Sequence, residues 1–169
     1  MKIPWEAMTP IVWWTAMQVV HYAAGDWGVG ELWLDDDGLP VWHELPTPSR
    51  QANVRGTVPL ACRFQAYFAG ERVSFDDVEI DLEWCTPLQR AIAEALREVR
   101  YGETVSYGEL AALAGRPQAP RAGGAFCSQN RLPLILQCHR VVAAGGIGGY
   151  GSLGVEYKRR MLELEGAAL

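Results

Sequence analysis

The chain changes character abruptly at Thr86-Pro87. Upstream runs the acidic stretch Asp76-Asp77-Val78-Glu79-Ile80-Asp81-Leu82-Glu83. Downstream, a threonine at an N-cap and a proline at the first helical position open a helix. The hydroxyl accepts an otherwise unpaired backbone N–H, and the proline lacks the N–H that would find no partner there. All seven tryptophans lie at or before Trp84. A boundary near Trp84–Cys85 therefore divides the 169 residues into residues 1–85 and 86–169, each small but together enough to bury a core without staples.

The charge divides with the pattern. Residues 1–85 hold five Lys or Arg against thirteen Asp or Glu, whereas residues 86–169 hold ten against seven and no aspartate. The overall formal charge of −5 thus conceals a basic second half, which is where an acidic partner would be met. Apolar residues make up 49% and charged residues 21% of the chain, as in ordinary soluble domains. No apolar run reaches the length of a membrane span. The stretch Ile11–Ala16 is interrupted upstream by Pro4, Glu6 and Pro10 and lacks a clean cleavage site, so it does not read as a secretory signal. Four cysteines without framework spacing point to reduced thiols and a cytoplasmic setting.

The first half reads as β-rich with one helix. Met17–Ala24 and Gly28–Leu34 are strand-like, separated by Gly25-Asp26. Asp37-Gly38 turns the chain into a third strand over Leu39–Leu45. Pro46–Gly56 is a loop by composition, and Leu60–Phe68 a helix closed by Gly70. His21, His43, Cys62 and Cys85 offer metal-ligand chemistry, but none forms the short paired spacing of a structural zinc site; no metal is expected. Cys85 and Cys127 read as plain thiols.

The second half is mainly helical. Leu88, Ile92, Leu96 and Val99 recur at helical spacing over Pro87–Tyr101, with Gly102 as the stop. Ser106 and Glu109 form a capping box for a helix over Tyr107–Ala114, and a third short helix covers about Pro120–Ser128. Two short helices joined by a Gly/Pro turn make a helix-turn-helix pattern. Ala119, Ala122, Gly123, Gly124 and Ala125 give the second of these a side-chain-poor surface. It suits close approach to a narrow groove or, equally, tight packing on a neighbouring helix. A last helix runs over about Val155–Glu165.

The sharpest chemical signal is Leu134-Ile135-Leu136-Gln137-Cys138-His139-Arg140-Val141-Val142. A thiol beside a histidine sits between apolar runs. Thiolate is the nucleophilic form, and a nearby base makes it available at neutral pH. Adjacent residues on a strand face opposite ways, so Cys138 and His139 would need a turn or a bridging water to cooperate. From spacing alone, a buried cysteine beside a hydrogen-bonded histidine explains the run as well.

The stretch Thr86–Gly166 is similar to the catalytic domain of the O6-alkylguanine-DNA alkyltransferases, the methylated-DNA–protein-cysteine methyltransferase family. The family's Pro-Cys-His-Arg-Val signature reads here as Gln137-Cys138-His139-Arg140-Val141. Val105–Gly115 matches its Val-Ser-Tyr-x-x-Leu-Ala-x-Leu-Ala-Gly segment, and Arg121-Ala122-Gly123-Gly124 the start of its recognition helix. Asn130 with Pro133, Lys158, and Leu164-Glu165-Gly166 match in order and spacing. Tyr67-Phe68-Ala69-Gly70 and the acidic stretch after it resemble the family's small N-terminal domain more loosely.

The resemblance implies an α+β fold: a small β-rich N-terminal domain with one helix, then a mainly helical, winged-helix-like C-terminal domain containing a helix-turn-helix. It implies a monomer that acts without a cofactor on double-stranded DNA carrying O6-alkylguanine, through the minor groove and with the damaged nucleotide rotated out. Cys138 would accept the alkyl group in a single, irreversible turnover. His139 would deprotonate it through a water, oriented by Glu165, and Tyr107 would donate to the guanine ring. Arg121 would fill the vacated stack, with Ala122, Gly123, Gly124 and Ala125 along the groove. Asn130, Arg140, Val141, Tyr150, Ser152 and Lys158 would support the site.

Two departures bear on this. Gln137 stands in place of the family's proline, which removes a φ restraint before the acceptor and implies slower or altered reaction. In the glycine-rich loop Ala143–Gly154, Tyr150 comes one residue early, which bears on tolerance of alkyl groups bulkier than methyl. Two alternatives accompany the resemblance. One is a lesion sensor that binds O6-alkylguanine without reacting and recruits other factors, a class that lacks the acceptor cysteine. The other is a helix-turn-helix regulator, which leaves Cys138, His139 and Glu165 without a purpose.

Overall fold

The computed structural model describes residues 17–169; the stretch Ile11–Ala16 lies outside them. Three strands, β1 (Gln18–Ala23), β2 (Val29–Leu34) and β3 (Pro40–Thr47), form an antiparallel sheet in that order. Alternation sets its inner face: Val20 and Tyr22 of β1, Leu32 and Leu34 of β2 and Leu45 of β3 are buried. Tyr22 pairs across the strands with Gly30, where a Cβ would lie 2.2 Å from the Tyr22 ring. Only glycine leaves that ring its place. Helix α1 (Pro59–Phe68) covers this face with Ala61, Phe64, Tyr67 and Phe68.

The expected helices form, and their ends are set by side chains. In α2 (Pro87–Arg97), Thr86 and Gln89 cap each other reciprocally. The helix stops short of the expected Tyr101. Past its Glu98 cap, the carbonyl of Val99 accepts from Arg140 Nη1 at 2.6 Å instead of continuing the ladder. The capping box Ser106/Glu109 is present on α3 (Tyr107–Leu113). Helix α4 (Pro120–Gln129) packs on α3, and α5 (Gly154–Leu164) ends with Glu165 at its C-cap.

The segment carrying Cys138 is not a strand. Cys138–Arg140 forms a 3-10 turn, and only β5 (Val141–Val142) is extended, pairing in parallel with β4 (Val105–Ser106). The turn re-aims successive side chains in a way that strand alternation would not.

Buried residues of both halves form one continuous core, in which Phe64, Tyr67 and Phe75 join Ile92, Leu96 and Met161. Each such side chain withdrawn from water stabilises the fold by about 1.5–3 kcal/mol. The change of pattern at Thr86 therefore separates two kinds of secondary structure over a shared interior.

Candidate active site

The site begins at the end of α4. There, Asn130 Nδ2 donates to the carbonyl of Leu136 (2.8 Å), and its Oδ1 accepts from the N–H of Leu132 (3.0 Å). One side chain thus closes the loop leading to Cys138. Inside that loop, fully buried Leu134 is held at φ 76°, a left-handed conformation costing a leucine roughly 1–2 kcal/mol. The sheet braces the same loop from outside. The backbone N–H of His43 donates to Arg131 O (2.9 Å), and its ring Nδ1–H to Pro133 O (2.6 Å). That fixes Nε2 as an acceptor, which the Tyr22 hydroxyl meets at 2.7 Å. The ring stacks on Phe64, 4.1 Å between centroids. Burial pushes the His43 pKa down to about 4.

Cys138, 6% exposed, lines a cavity of about 460 Å³ together with Tyr107, Gly124, Asn130, Tyr150 and Ser152. The size is that of small-molecule sites. Trp42 and His43 of β3 line it as well. The thiol lies 4.0 Å from the Tyr150 hydroxyl. Burial raises the Cys138 pKa, although Asn130, Tyr150 and the charge of Lys158 pull the other way; the resting group is the thiol. Tyr107 is likewise raised by burial, so its phenol keeps its proton. Lys158, 1% exposed, donates to Val141 O (2.5 Å) and Gly149 O (3.3 Å). It ties β5, just after the Cys138 turn, to the glycine-rich loop.

Behind the thiol lies a buried polar network. His139 Nε2 is 2.6 Å from Glu165 Oε1. Arg140 donates from Nε to Glu165 Oε2 (2.9 Å) and from Nη2 to Oε1 (3.1 Å). The Tyr67 hydroxyl donates to Oε1 (2.7 Å) and Gly102 N–H to Oε2 (3.0 Å). Burial alone would raise the Glu165 pKa, but His139 and Arg140 outweigh it and hold the carboxyl far below its usual range. Burial lowers the His139 pKa against the pull of Glu165, leaving a neutral imidazole. With Nε2 engaged by Glu165, Nδ1 is the nitrogen left for an incoming proton. It is buried and has no hydrogen-bond partner among the described residues.

The expected site residues divide into three groups. Cys138, Tyr107, Gly124, Asn130, Tyr150 and Ser152 share the cavity; His139, Arg140 and Glu165 form the network, and Val141 with Lys158 braces it. Arg121 and Ala125 stand exposed on α4 and Ala122 half-buried. Gly123 faces inward, where a Cβ would sit 3.3 Å from Leu110 Cδ2 and 3.7 Å from the Tyr107 ring. At that position the small side chain serves helix packing. Sequence reasoning missed Tyr67 as a partner of Glu165, the Tyr22–His43–Pro133 chain, and Cys127 and Trp42 as cavity walls. Among the described residues no group of three or more His, Cys, Asp or Glu side chains is placed to hold a metal. His21 instead meets Glu31 at 3.2 Å.

Fold and site together define a helix-turn-helix protein with a buried thiol lining a cavity roomy enough for a purine base. Residues 87–167 match the family model described as 6-O-methylguanine DNA methyltransferase, DNA binding domain. The methylated-DNA–protein-cysteine methyltransferase of Mycobacterium tuberculosis is 39% identical over 159 residues, covering 87% of this chain and 93% of its own. That of Methanopyrus kandleri is 46% identical over 103 residues, 61% of this chain and 76% of its own. The crystal structure of the M. tuberculosis O6-methylguanine methyltransferase superposes with a TM-score of 0.73 at 34% identity, over 90% of this chain and 95% of that one. The structure of M. tuberculosis OGT in complex with DNA gives 0.72 at 33%, over 89% and 92%. The chain belongs to the methylated-DNA–protein-cysteine methyltransferase family.

Proposed function

We propose that this protein repairs DNA by moving an alkyl group, chiefly methyl, from O6 of guanine onto Cys138, once and irreversibly. The observation that carries the reading is that Cys138 lines a cavity roomy enough for a purine, shared with Tyr107, while the following residue, His139, forms a buried pair with Glu165. The thiol is the resting form, so a proton must leave as the bond forms. His139 takes it through a water, and Glu165 stabilises the imidazolium that results. The Sγ–C bond forms as the C–O6 bond breaks, and its electron pair passes into the purine. Tyr107, a phenol at the cavity wall, donates to the ring as that charge develops. The proton lost by sulfur balances the one guanine regains, leaving a thioether and an intact guanine.

DNA is met by α4, on the half of the chain with the positive balance. Arg121 and Ala125 face solvent there, and Ala122 and Gly124 offer little bulk against a minor groove. Arg121 fills the stack when the nucleotide turns out, a step costing about a few kcal/mol. In this reading residues 1–85 form a structural domain and residues 86–169 the catalytic, DNA-binding one, acting as a monomer in the cytoplasm. Among the described residues no helix is long and apolar enough to cross a membrane.

The test is intact-mass analysis after incubation with a duplex carrying one O6-methylguanine. A gain of one methylene on the Cys138 peptide, absent in Cys138→Ser, is the expected result. Lesion-selective binding with no mass gain would make the protein a sensor, and binding without lesion preference a duplex-binding regulator.

A further inference from the structure

Gln137 and Cys138 are neighbours in sequence but line different cavities. Gln137 faces a separate cleft of about 440 Å³ that shares no residue with the cavity at the thiol. Four arginines line the cleft: Arg72, Arg97, Arg100 and Arg140. Two of them are fixed parts of its wall. Arg97 Nη2 donates to the carbonyls of Phe75 (3.2 Å), Asp76 (2.8 Å) and Val78 (2.8 Å), and Arg140 holds Glu165 and Val99. Arg72 and Arg100 are exposed and make no ion pair among the described residues. Arg72 lies over the face of Tyr101, 5.7 Å from its centroid. The one carboxylate in the lining, Asp76, accepts from the Ser74 hydroxyl at 2.7 Å. Positive charge therefore dominates the cleft.

Within the lining Gln137 is 2% exposed, and its Oε1 is buried without a hydrogen-bond partner among the described residues. Buried acceptors are rarely left without a donor. An occupant must then do two things: carry negative charge for the guanidinium groups and present a hydroxyl hydrogen to Oε1. Hydrogenphosphate does both at neutral pH. A DNA phosphodiester and sulfate supply the charge but have no hydroxyl to donate. We infer that this cleft binds a protonated phosphate oxyanion, inorganic phosphate foremost, held by Arg72 and Arg100 and oriented by Gln137, on the far side of the turn that carries the acceptor thiol.

Calorimetric titration of the full chain with phosphate and with sulfate, at pH 7 and matched ionic strength, tests this. The expected result is saturable one-site phosphate binding about tenfold tighter than sulfate. The double variant Arg72→Ala/Arg100→Ala, both positions exposed, should weaken phosphate about tenfold or more without altering the melting temperature. Gln137→Met, nearly equal in volume, should erase the preference for phosphate over sulfate while leaving sulfate binding in place. Should that variant fail to fold, the phosphate-to-sulfate ratio of the unaltered protein still decides. Absence of saturation, equal affinity for the two anions, or indifference to the arginine pair would overturn the proposal. Displacement of phosphate by undamaged duplex, with duplex binding equally weakened in the arginine variant, would assign the cleft to the DNA backbone instead and overturn it as well.

Discussion

His139 Nε2 and Glu165 Oε1 stand 2.6 Å apart with both side chains wholly shut from solvent. The same carboxylate takes both Nε and Nη2 of Arg140, so its charge is shared between a guanidinium and a ring that the proposed transfer would make cationic. Glu165→Gln keeps the shape but leaves Arg140 without a counter-charge and the imidazolium without support. Single-turnover methyl transfer should slow roughly 10²–10³-fold, and denaturant titration should show a loss of about 3 kcal/mol. Unchanged stability with a slowed rate would mean that Arg140 finds another partner.

The rate of transfer should be insensitive to pH where a solvated histidine titrates. Burial depresses the His139 pKa, so the neutral ring that the proposed mechanism requires persists as pH falls through its ordinary value near 6.5. A single-turnover profile should remain level from pH 8 to below 6.5. An inflection at about 6.5 would show an imidazole in contact with bulk water and would remove the reason for a buried base.

Much of the fold was legible before any coordinates. Thr86-Pro87 and Ser106-x-x-Glu109 start helices because the groups that cap them lie within three residues, and strand alternation needs only the neighbouring residue. The run Gln137–Val141 and the distant Glu165 were legible through resemblance. What local pattern does not carry is which elements stack. Tyr67 reaches Glu165 across 98 positions, and His43 reaches Pro133 across 90. Neither contact leaves any period or spacing to read. The 3-10 turn at Cys138 was hidden for a related reason. Apolar residues on both sides suggest a strand, while the turn depends on Asn130 closing the loop and on Arg140 reaching back to Val99.

His43 should make the protein sensitive to mild acid. Its pKa is about 4 in the folded state and about 6.5 unfolded, so between those values the unfolded chain binds a proton that the folded one refuses. The stability is complete above about pH 6.5 and falls as pH drops toward 4, by about 3 kcal/mol for this one group. His43→Gln should be less stable than the unaltered protein at pH 7, through loss of the Tyr22 and Pro133 bonds. The gap should narrow by about 3 kcal/mol at pH 4. His139, also depressed, contributes equally to both proteins, so the difference isolates His43. Urea unfolding at the two pH values measures it; parallel losses would show that His43 titrates without consequence.

Gly123 and Gly124 are adjacent on α4, yet they should respond oppositely to alanine. Both have helical backbone, so alanine brings the same propensity gain of about 0.5–1 kcal/mol. At Gly124 the new methyl meets only the Tyr107 ring at 3.8 Å, an ordinary contact. At Gly123 it meets Leu110 Cδ2 at 3.3 Å, and Leu110 is itself fully buried. The neighbour must shift in a packed interior, which costs about 1–3 kcal/mol and cancels or exceeds the gain. Gly124→Ala should therefore raise the melting temperature and Gly123→Ala leave it level or lower it. Activity should sort the two differently. Gly124 lines the cavity beside Tyr107, so its methyl narrows the space for the everted base and slows transfer in a protein that is otherwise more stable. A Gly124→Ala protein that is more stable and equally fast would show that this wall of the cavity does not touch the base.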